Sequence, residues 1–510
     1  MAPRSPAALQ QLLRPLLHQQ AQALSTSTAA AAAAQPALAP VAAAAASIRG
    51  RINTPLSEPL PGVAAVKPSL QPKPQMTVVT GLEGGARAVA TDAPGPNACV
   101  AVFVGAGSAD EAAAGAPGAA KLLEAMAFRS TSHRSTFRVS RELEKYGAVA
   151  TAVAGREHMA FCVEATKLHA AEATELLLDC VLNARLADWE LRDVKEGVAE
   201  DAAAASSSPG MLAVELLHRA AFKGPLGAPL LPDADALDET DGDALRAFAA
   251  ATLQNPANLV LAATGVSAEQ LRAFAGPMLA DAAGGAAAAA AASGAPRIGG
   301  KGSAYVGGFL TALAPGVAPA VGLAFEAKGG LSDPRATAVA AVAKALLSAP
   351  VRESVPYARG GADAAAGPAA LAAGHAPVAH LYRATGLIGL VAGCAPGGAA
   401  AALDALSAEF DSLASKPIAP AALAAAKQLA LGGYASAVQA KPGAVQDAGM
   451  QLLARGAYSA DDYARAVSAV SAADVAAMAR AALGSAPTVV ATGALRDLPR
   501  YDVTARKFVA

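Results

Sequence analysis

Aromatic side chains are scarce in this chain. They make up 4% of its 510 residues and include one tryptophan, Trp189. Hydrophobic residues reach 54%, but much of that share is alanine, which buries little area. The cores must rest on scattered Leu, Val, Phe and Met. Charged residues are also few, at 16%, and nearly cancel to a net charge of −1. That balance gives no electrostatic case for nucleic acid. Only four cysteines occur, Cys99, Cys162, Cys180 and Cys394. None forms a CxxC, which excludes a zinc ribbon, or a CxxCH, which excludes covalent heme attachment. Their scatter reads as buried free thiols in a reducing compartment. The seven histidines contain no HxxxH and no HxxEH. His375 and His380 lie in a Gly/Ala-rich stretch and read as loop residues rather than ligands. A membrane span needs about 20 strongly apolar residues. The tract Ala29–Ala46 is mostly alanine and contains Pro36 and Pro40, so membrane association is expected only through partners.

Acidic residues are missing from the N-terminus. None occurs before Glu58, while Arg4, Arg14, Arg49 and Arg51 stand among Ser25, Thr26, Ser27 and Thr28. A basic, acid-free, Ser-containing leader is the pattern of a mitochondrial or plastid transit peptide. Leu9, Leu12, Leu13, Leu16 and Leu17 fall at helical spacing, although Pro15 interrupts them. Residues 1–70 are therefore read as a transit peptide and disordered leader. Removing those four arginines from the 40 basic residues leaves 36 against 41 acidic ones, a mildly acidic remainder.

The length is enough for about three domains of roughly 150 residues. An ordered pattern begins near Gln75. Met76–Thr80 and Ala86–Thr91 flank the turn Gly81–Gly85 and read as a hairpin. Cys99–Val104 reads as a strand, Gly118–Phe128 and Thr136–Tyr146 as helices, then Ala148–Ala152 and Met159–Glu164 as strands. Helices are expected at His169–Asn183, Asp188–Ala205, Gly210–Phe222 and Asp243–Leu253, with a closing strand at Asn258–Thr264. Asp281–Gly300 is almost wholly Ala, Gly and Ser and reads as a linker. After it the order restarts. Val321–Glu326 echoes Val100–Val104. Val489–Gly493 parallels Leu259–Gly265, and aligning Thr264 with Thr492 sets the offset at 228 residues. A repeat that long is a duplicated domain. The expected fold class is α+β: two homologous domains, residues 75–280 and 303–500 around a linker at 281–302, each a mainly antiparallel sheet packed against helices.

One helix carries the strongest indication of chemistry. Gly118–Phe128 resembles the helix that bears the inverted zinc motif, His-x-x-Glu-His, in pitrilysin-type (M16) metallopeptidases. The two histidine positions would be Lys121 and Ala125. Only Glu124, the catalytic-base position, keeps its residue type. An ammonium and a methyl group are not zinc ligands. Further segments resemble the mitochondrial branch of that family: Met126–Thr131, Arg141–Gly147, Arg156–Ala160, Asp188–Glu190, and in the second half Tyr305–Gly308 and Thr385–Gly389. Together they spread over residues 76–500.

The resemblance implies a pitrilysin/LuxS-like metallohydrolase fold with no catalytic residues, no metal and no cofactor. Lys121, Glu124 and Ala125 are then degenerate motif positions. Without a metal-activated water, Glu124 has no proton to take and reads as a surface or cavity-lining residue. Gly197 falls where the third ligand belongs, and Glu190, Glu196 and Glu200 read as a solvated helix face. Arg156 and His158 would share one strand face, with Glu157 on the other, as structural or interface groups. The resemblance also implies partners and place. The leading expectation is core subunit 2 of complex III (ubiquinol-cytochrome c reductase), on the matrix face of the inner mitochondrial membrane. Its partners would be a core 1 or β-type subunit, cytochrome b and cytochrome c1. The alternative is the α subunit of the mitochondrial processing peptidase, holding presequence peptides for a zinc-bearing β subunit. The α subunit's glycine-rich loop would fall at Leu346–Ala379. That stretch has Gly360, Gly361, Gly367 and Gly374 but no dense glycine cluster, which favours the core subunit.

Overall fold

Two sheets built on one plan organise the molecule. The computed structural model describes residues 75–79, 81–284, 302–313, 317–348, 375–493 and 497–508. Its strands are β1 Gln75–Val79, β2 Arg87–Asp92, β3 Asn97–Val104, β4 Val149–Ala154, β5 Met159–Thr166, β6 Phe222–Lys223, β7 Leu259–Thr264, β8 Ala304–Tyr305, β9 Gly308–Ala312, β10 Ala320–Glu326, β11 His375–Leu381, β12 Gly386–Gly393 and β13 Thr488–Thr492. The first sheet runs β1-β2-β7-β3-β5-β4 and the second β11-β12-β10-β13-β9, while β6 and β8 form a short ribbon. In each sheet one pair is parallel, β2 with β7 and β9 with β13. Every other pairing in the two sheets is antiparallel.

The ladders give the repeat a physical meaning. Thr264 lies opposite Thr91 and Cys99, and Thr492 opposite Ala312 and Ala320. The next residue in each half is a left-handed glycine, Gly265 (φ 86°) and Gly493 (φ 84°). Their amides donate to Thr91 O at 2.8 Å and Ala312 O at 3.1 Å. Thr264 and Thr492 thus hold the same place in two copies of one sheet.

Each sheet buries one face against helices of its own half. In the first half Val100, Val102, Phe161 and Val163 pack with Leu122, Leu177, Leu178 and Val181. In the second, Val321, Leu323, Ile388 and Leu390 pack with Val339, Leu403, Leu406 and Phe410. The opposite faces exchange helices between halves. Helix Pro209–Ala221 of the first half lays Ala213, Leu216 and Leu217 on Ala324, Val391 and Val490 of the second sheet. Helix Lys441–Arg455 of the second half lays Val445, Ala448 and Leu452 on Cys99, Ala101, Phe103 and Val260 of the first. Small residues allow the close seating: a Cβ on Gly449 would overlap the Phe103 ring, and one on Gly322 would lie 3.2 Å from Leu217 Cδ1.

Four sequence readings need correction. The helix expected to Phe128 ends at Ala125, because Phe128 takes a left-handed turn (φ 59°). The stretch read as linker from Asp281 is helical to Gly284; residues 285–301 lie outside the described residues. His375 and His380 sit on β11 rather than in a loop, and His375 is buried there. Arg156–His158 form the β4–β5 turn, closed by Gly155 N donating to His158 O at 2.8 Å, so strand alternation does not apply to them. The leader and the core of the glycine-loop region, residues 349–374, lie outside the described residues.

Candidate functional site

The helix Ala119–Ala125 is set by its entry. Gly118 is left-handed (φ 78°), and a Cβ there would meet Pro232 at 2.9 Å. The Glu111 carboxylate caps the first turn, accepting from Gly118 N and Ala120 N at 2.8 Å each. Burial pushes Glu111 up to about 7 despite those two bonds, and pushes Asp110 up to about 6. Asp110 accepts from Gly107 N at 3.1 Å, fixing the preceding helix Ser108–Ala114. Leu122 and Leu123 turn into the core, which leaves Lys121, Glu124 and Ala125 on the less buried side.

On that side Lys121 grips Glu124. Its ammonium lies 2.9 Å from Oε1 and 2.8 Å from Oε2. Glu124 Oε2 also accepts from Ala154 N, at the end of β4, at 2.7 Å. Both Glu124 oxygens are thus engaged. Ala125, one turn beyond Lys121 on the same face, brings no donor atom. Helix Asp188–Ser207 packs alongside; there Gly197, Glu196 and Glu200 are exposed. Zinc needs neutral imidazole or anionic ligands. The set here is one carboxylate neutralised by a lysine, and these residues do not fit zinc. Among the described residues no cluster of three or more His, Cys, Asp or Glu has metal-binding geometry.

Glu190 corrects a further reading. It is fully buried and accepts from Ser130 Oγ and Thr136 Oγ1. Six residues at about 100° each turn it well away from Glu196, while Glu196 and Glu200 stay about 40° apart. Asp179 anchors the same loop from helix Ala170–Leu182. It accepts from Thr131 Oγ1 and His133 Nδ1 at 2.8 Å, Arg134 NH1 at 2.7 Å and Asn183 Nδ2 at 2.9 Å. Burial alone would raise Asp179, but these bonds hold it below the usual aspartate range. The chain leaving the Lys121–Glu124 helix is therefore pinned by two buried carboxylates.

The β4–β5 turn joins this region to the second half. Arg156 is buried and pairs with Glu215 on helix Pro209–Ala221 at 2.7 Å. Glu157 accepts from Arg383 N at 2.6 Å. His218, beside Glu215's turn, stacks edge-on against His380 and Tyr382, and burial holds its pKa well below the ordinary histidine value. Arg156 and Glu157 were legible as interface groups. Glu111, Asp179 and Glu215 were not: each is an acidic residue in a helix, with no local sign of burial.

Comparison with known proteins bears on what this arrangement is. The family profile Insulinase (Peptidase family M16) matches residues 87–234, a span that includes the Lys121–Glu124 helix and β2 to β6. Residues 87–234 are thus similar to the M16 family. The α subunit of the mitochondrial-processing peptidase from Solanum tuberosum is 29% identical over 470 residues, 89% of this chain and 87% of that protein. Subunit 1 of the cytochrome b-c1 complex from Bos taurus is 30% identical over 168 residues, 33% of this chain and 35% of that protein. A chain of complex III from Candida albicans shares the fold, with a TM-score of 0.67 at 18% identity, over 85% of this chain and 99% of that one. That shared fold agrees with the duplicated sheets.

Proposed function

We propose that this chain is the non-catalytic, α-type member of a mitochondrial M16 heterodimer whose β-type partner keeps the zinc. One observation carries the reading: the Lys121 ammonium is bound to Glu124 at 2.8 Å, with Ala125 at the second ligand position. A carboxylate so engaged is neither a metal ligand nor a base aimed at a water.

Within that reading the chain is a matrix-side scaffold of the respiratory chain, core subunit 2 of complex III, reaching the inner membrane through cytochrome b and cytochrome c1. The sparse glycines of Leu346–Ala379 support it. A second reading is the presequence-holding α subunit of the processing peptidase. Two observations favour this one. The potato α subunit aligns over nearly its whole length, while cattle subunit 1 aligns over about a third. And β4 is an edge strand that ends on Glu124, with Val149, Thr151 and Val153 exposed, a place where an extended peptide can add as a strand. One protein serving both roles satisfies both readings.

Native electrophoresis of gently solubilised mitochondrial membranes, with mass spectrometry of the band holding this chain, separates them. Co-migration with cytochrome b and cytochrome c1 identifies a complex III subunit. Recovery solely in a soluble heterodimer with a zinc-bearing subunit identifies the peptidase α subunit. Recovery as a monomer with peptidase activity overturns both.

A further inference from the structure

The first sheet places two thiols in contact outside the region just described. Cys99 on β3 lies opposite Glu164, and Cys162 on β5 lies opposite Ala101. Both side chains therefore point to one face of the sheet, as diagonal neighbours on adjacent antiparallel strands. Their sulfurs are 3.2 Å apart. We propose that Cys99 and Cys162 are a redox-active dithiol, which a peroxide closes to an intramolecular disulfide.

Other uses of the pair fit less well. Two thiolates on one tetrahedral zinc sit roughly 3.8 Å apart, given Zn–S bonds of about 2.3 Å; these sulfurs are closer, and no third ligand joins them among the described residues. A disulfide needs the sulfurs to approach to about 2.05 Å, and because diagonal neighbours stand about 7–8 Å apart, β3 and β5 must draw together slightly as the side chains turn.

The surroundings assign the two thiols different parts. Helix Lys441–Arg455 lies over β3 and covers Cys99, which is fully buried. Cover thins toward β4, where Val149 is 64% and Val153 55% exposed, and Cys162 is half-buried at that margin. An oxidant reaches Cys162 first. Hydrogen bonds from Cys99 and Thr151 draw the Cys162 thiol below its usual range, against its burial. The hydrogen bond to Cys162 and burial push Cys99 up, with Lys441 acting weakly the other way. Cys162 is thus the attacking sulfur and Cys99 the resolving one.

The steps balance. Cys162 thiolate attacks one peroxide oxygen; the O–O bond breaks, and the leaving hydroxide takes a proton to become water. Cys162 is then a sulfenic acid. Cys99 sulfur attacks Cys162 sulfur, the S–O bond breaks, and the departing hydroxide leaves as water with the Cys99 proton. The dithiol has lost two electrons and two protons, and one hydrogen peroxide has become two waters. The bond would tie β3 to β5 beside Lys441, which donates to Asn97 O, where the second half's helix seats on the first sheet.

The test uses the full-length chain, reduced and then exposed to graded hydrogen peroxide. It is alkylated in denaturant without reductant, digested and mapped by mass spectrometry. Two of the four thiols are expected to be lost together, with a linked Cys99–Cys162 peptide, while Cys180 and Cys394 stay alkylated. In Cys99→Ser, Cys162 should instead be trapped by dimedone as sulfenic acid; in Cys162→Ser, Cys99 should stay reduced. Since both serine variants could misfold, the wild-type linked peptide is the deciding readout. Four alkylated thiols at peroxide levels that oxidise an exposed model thiol would overturn the proposal. So would sulfenic acid on Cys162 in the wild type with no linked peptide.

Discussion

Asp179 holds four donors at once, one of them the Arg134 guanidinium. Arg134 is itself mostly buried and also pairs with Glu142 and Glu175. Asp179→Ala leaves that cation short of its buried partner, a loss of about 3–5 kcal/mol by the usual cost of breaking a buried pair. Urea denaturation of the variant measures it. The pH response should have two opposing parts. Asp179 is depressed in the fold, so its contribution is present above the ordinary aspartate pKa and fades as pH falls through its folded value. Glu111 is raised from 4.5 to about 7, so its contribution is full below 4.5 and fades as pH rises through 7. Glu111→Gln should flatten that upper limb, removing about 3 kcal/mol of pH dependence between pH 4.5 and 7. Stability against pH for wild type and variant reads it directly. At this scale the chemistry of Lys121 and Ala125 follows from residue type alone: an ammonium and a methyl group are unlike zinc ligands wherever they sit. It was illegible for Glu190 and Glu111, whose burial comes from segments distant in the chain.

Among the elements, helices and strands followed periodicity closely. Thr136–Tyr146 begins and ends where its Ser135 cap and its left-handed Gly147 set it. Errors fell where tertiary contact overrides local pattern. The Lys121–Glu124 helix stops early so that Ser130 can reach Glu190, and His375 and His380 join a strand because β12 supplies the ladder. Helix Lys441–Arg455 shows what pattern alone cannot give: nothing in its own residues names its destination on the other half's sheet. Gly449 is the contact point, set against the Phe103 ring. Gly449→Ala should cost about 1–3 kcal/mol through overpacking. The loss should appear as a lower denaturant midpoint and faster amide exchange in β3 and β7. An unchanged midpoint would mean that the helix can shift at no cost.

At the scale of the molecule, the two sheets bind each other by exchanging helices, so neither half closes its core alone. The described residues of both halves form one compact unit on that account. The 228-residue echo in the sequence marked the duplication, because Thr-Gly after a buried strand is needed at the same ladder position in both halves. The exchange left no such mark, since an apolar helix face does not name the sheet it will cover. On the proposed reading, a duplicated scaffold holding a lysine–glutamate pair at the motif positions suits a chain that works through a partner. The central claim is that this scaffold binds no catalytic zinc. It is tested most directly by metal analysis of the purified full-length chain after dialysis against zinc. The account gives well under one zinc per chain, unchanged in Glu124→Gln. One tightly held zinc per chain, lost in Glu124→Gln, would contradict it.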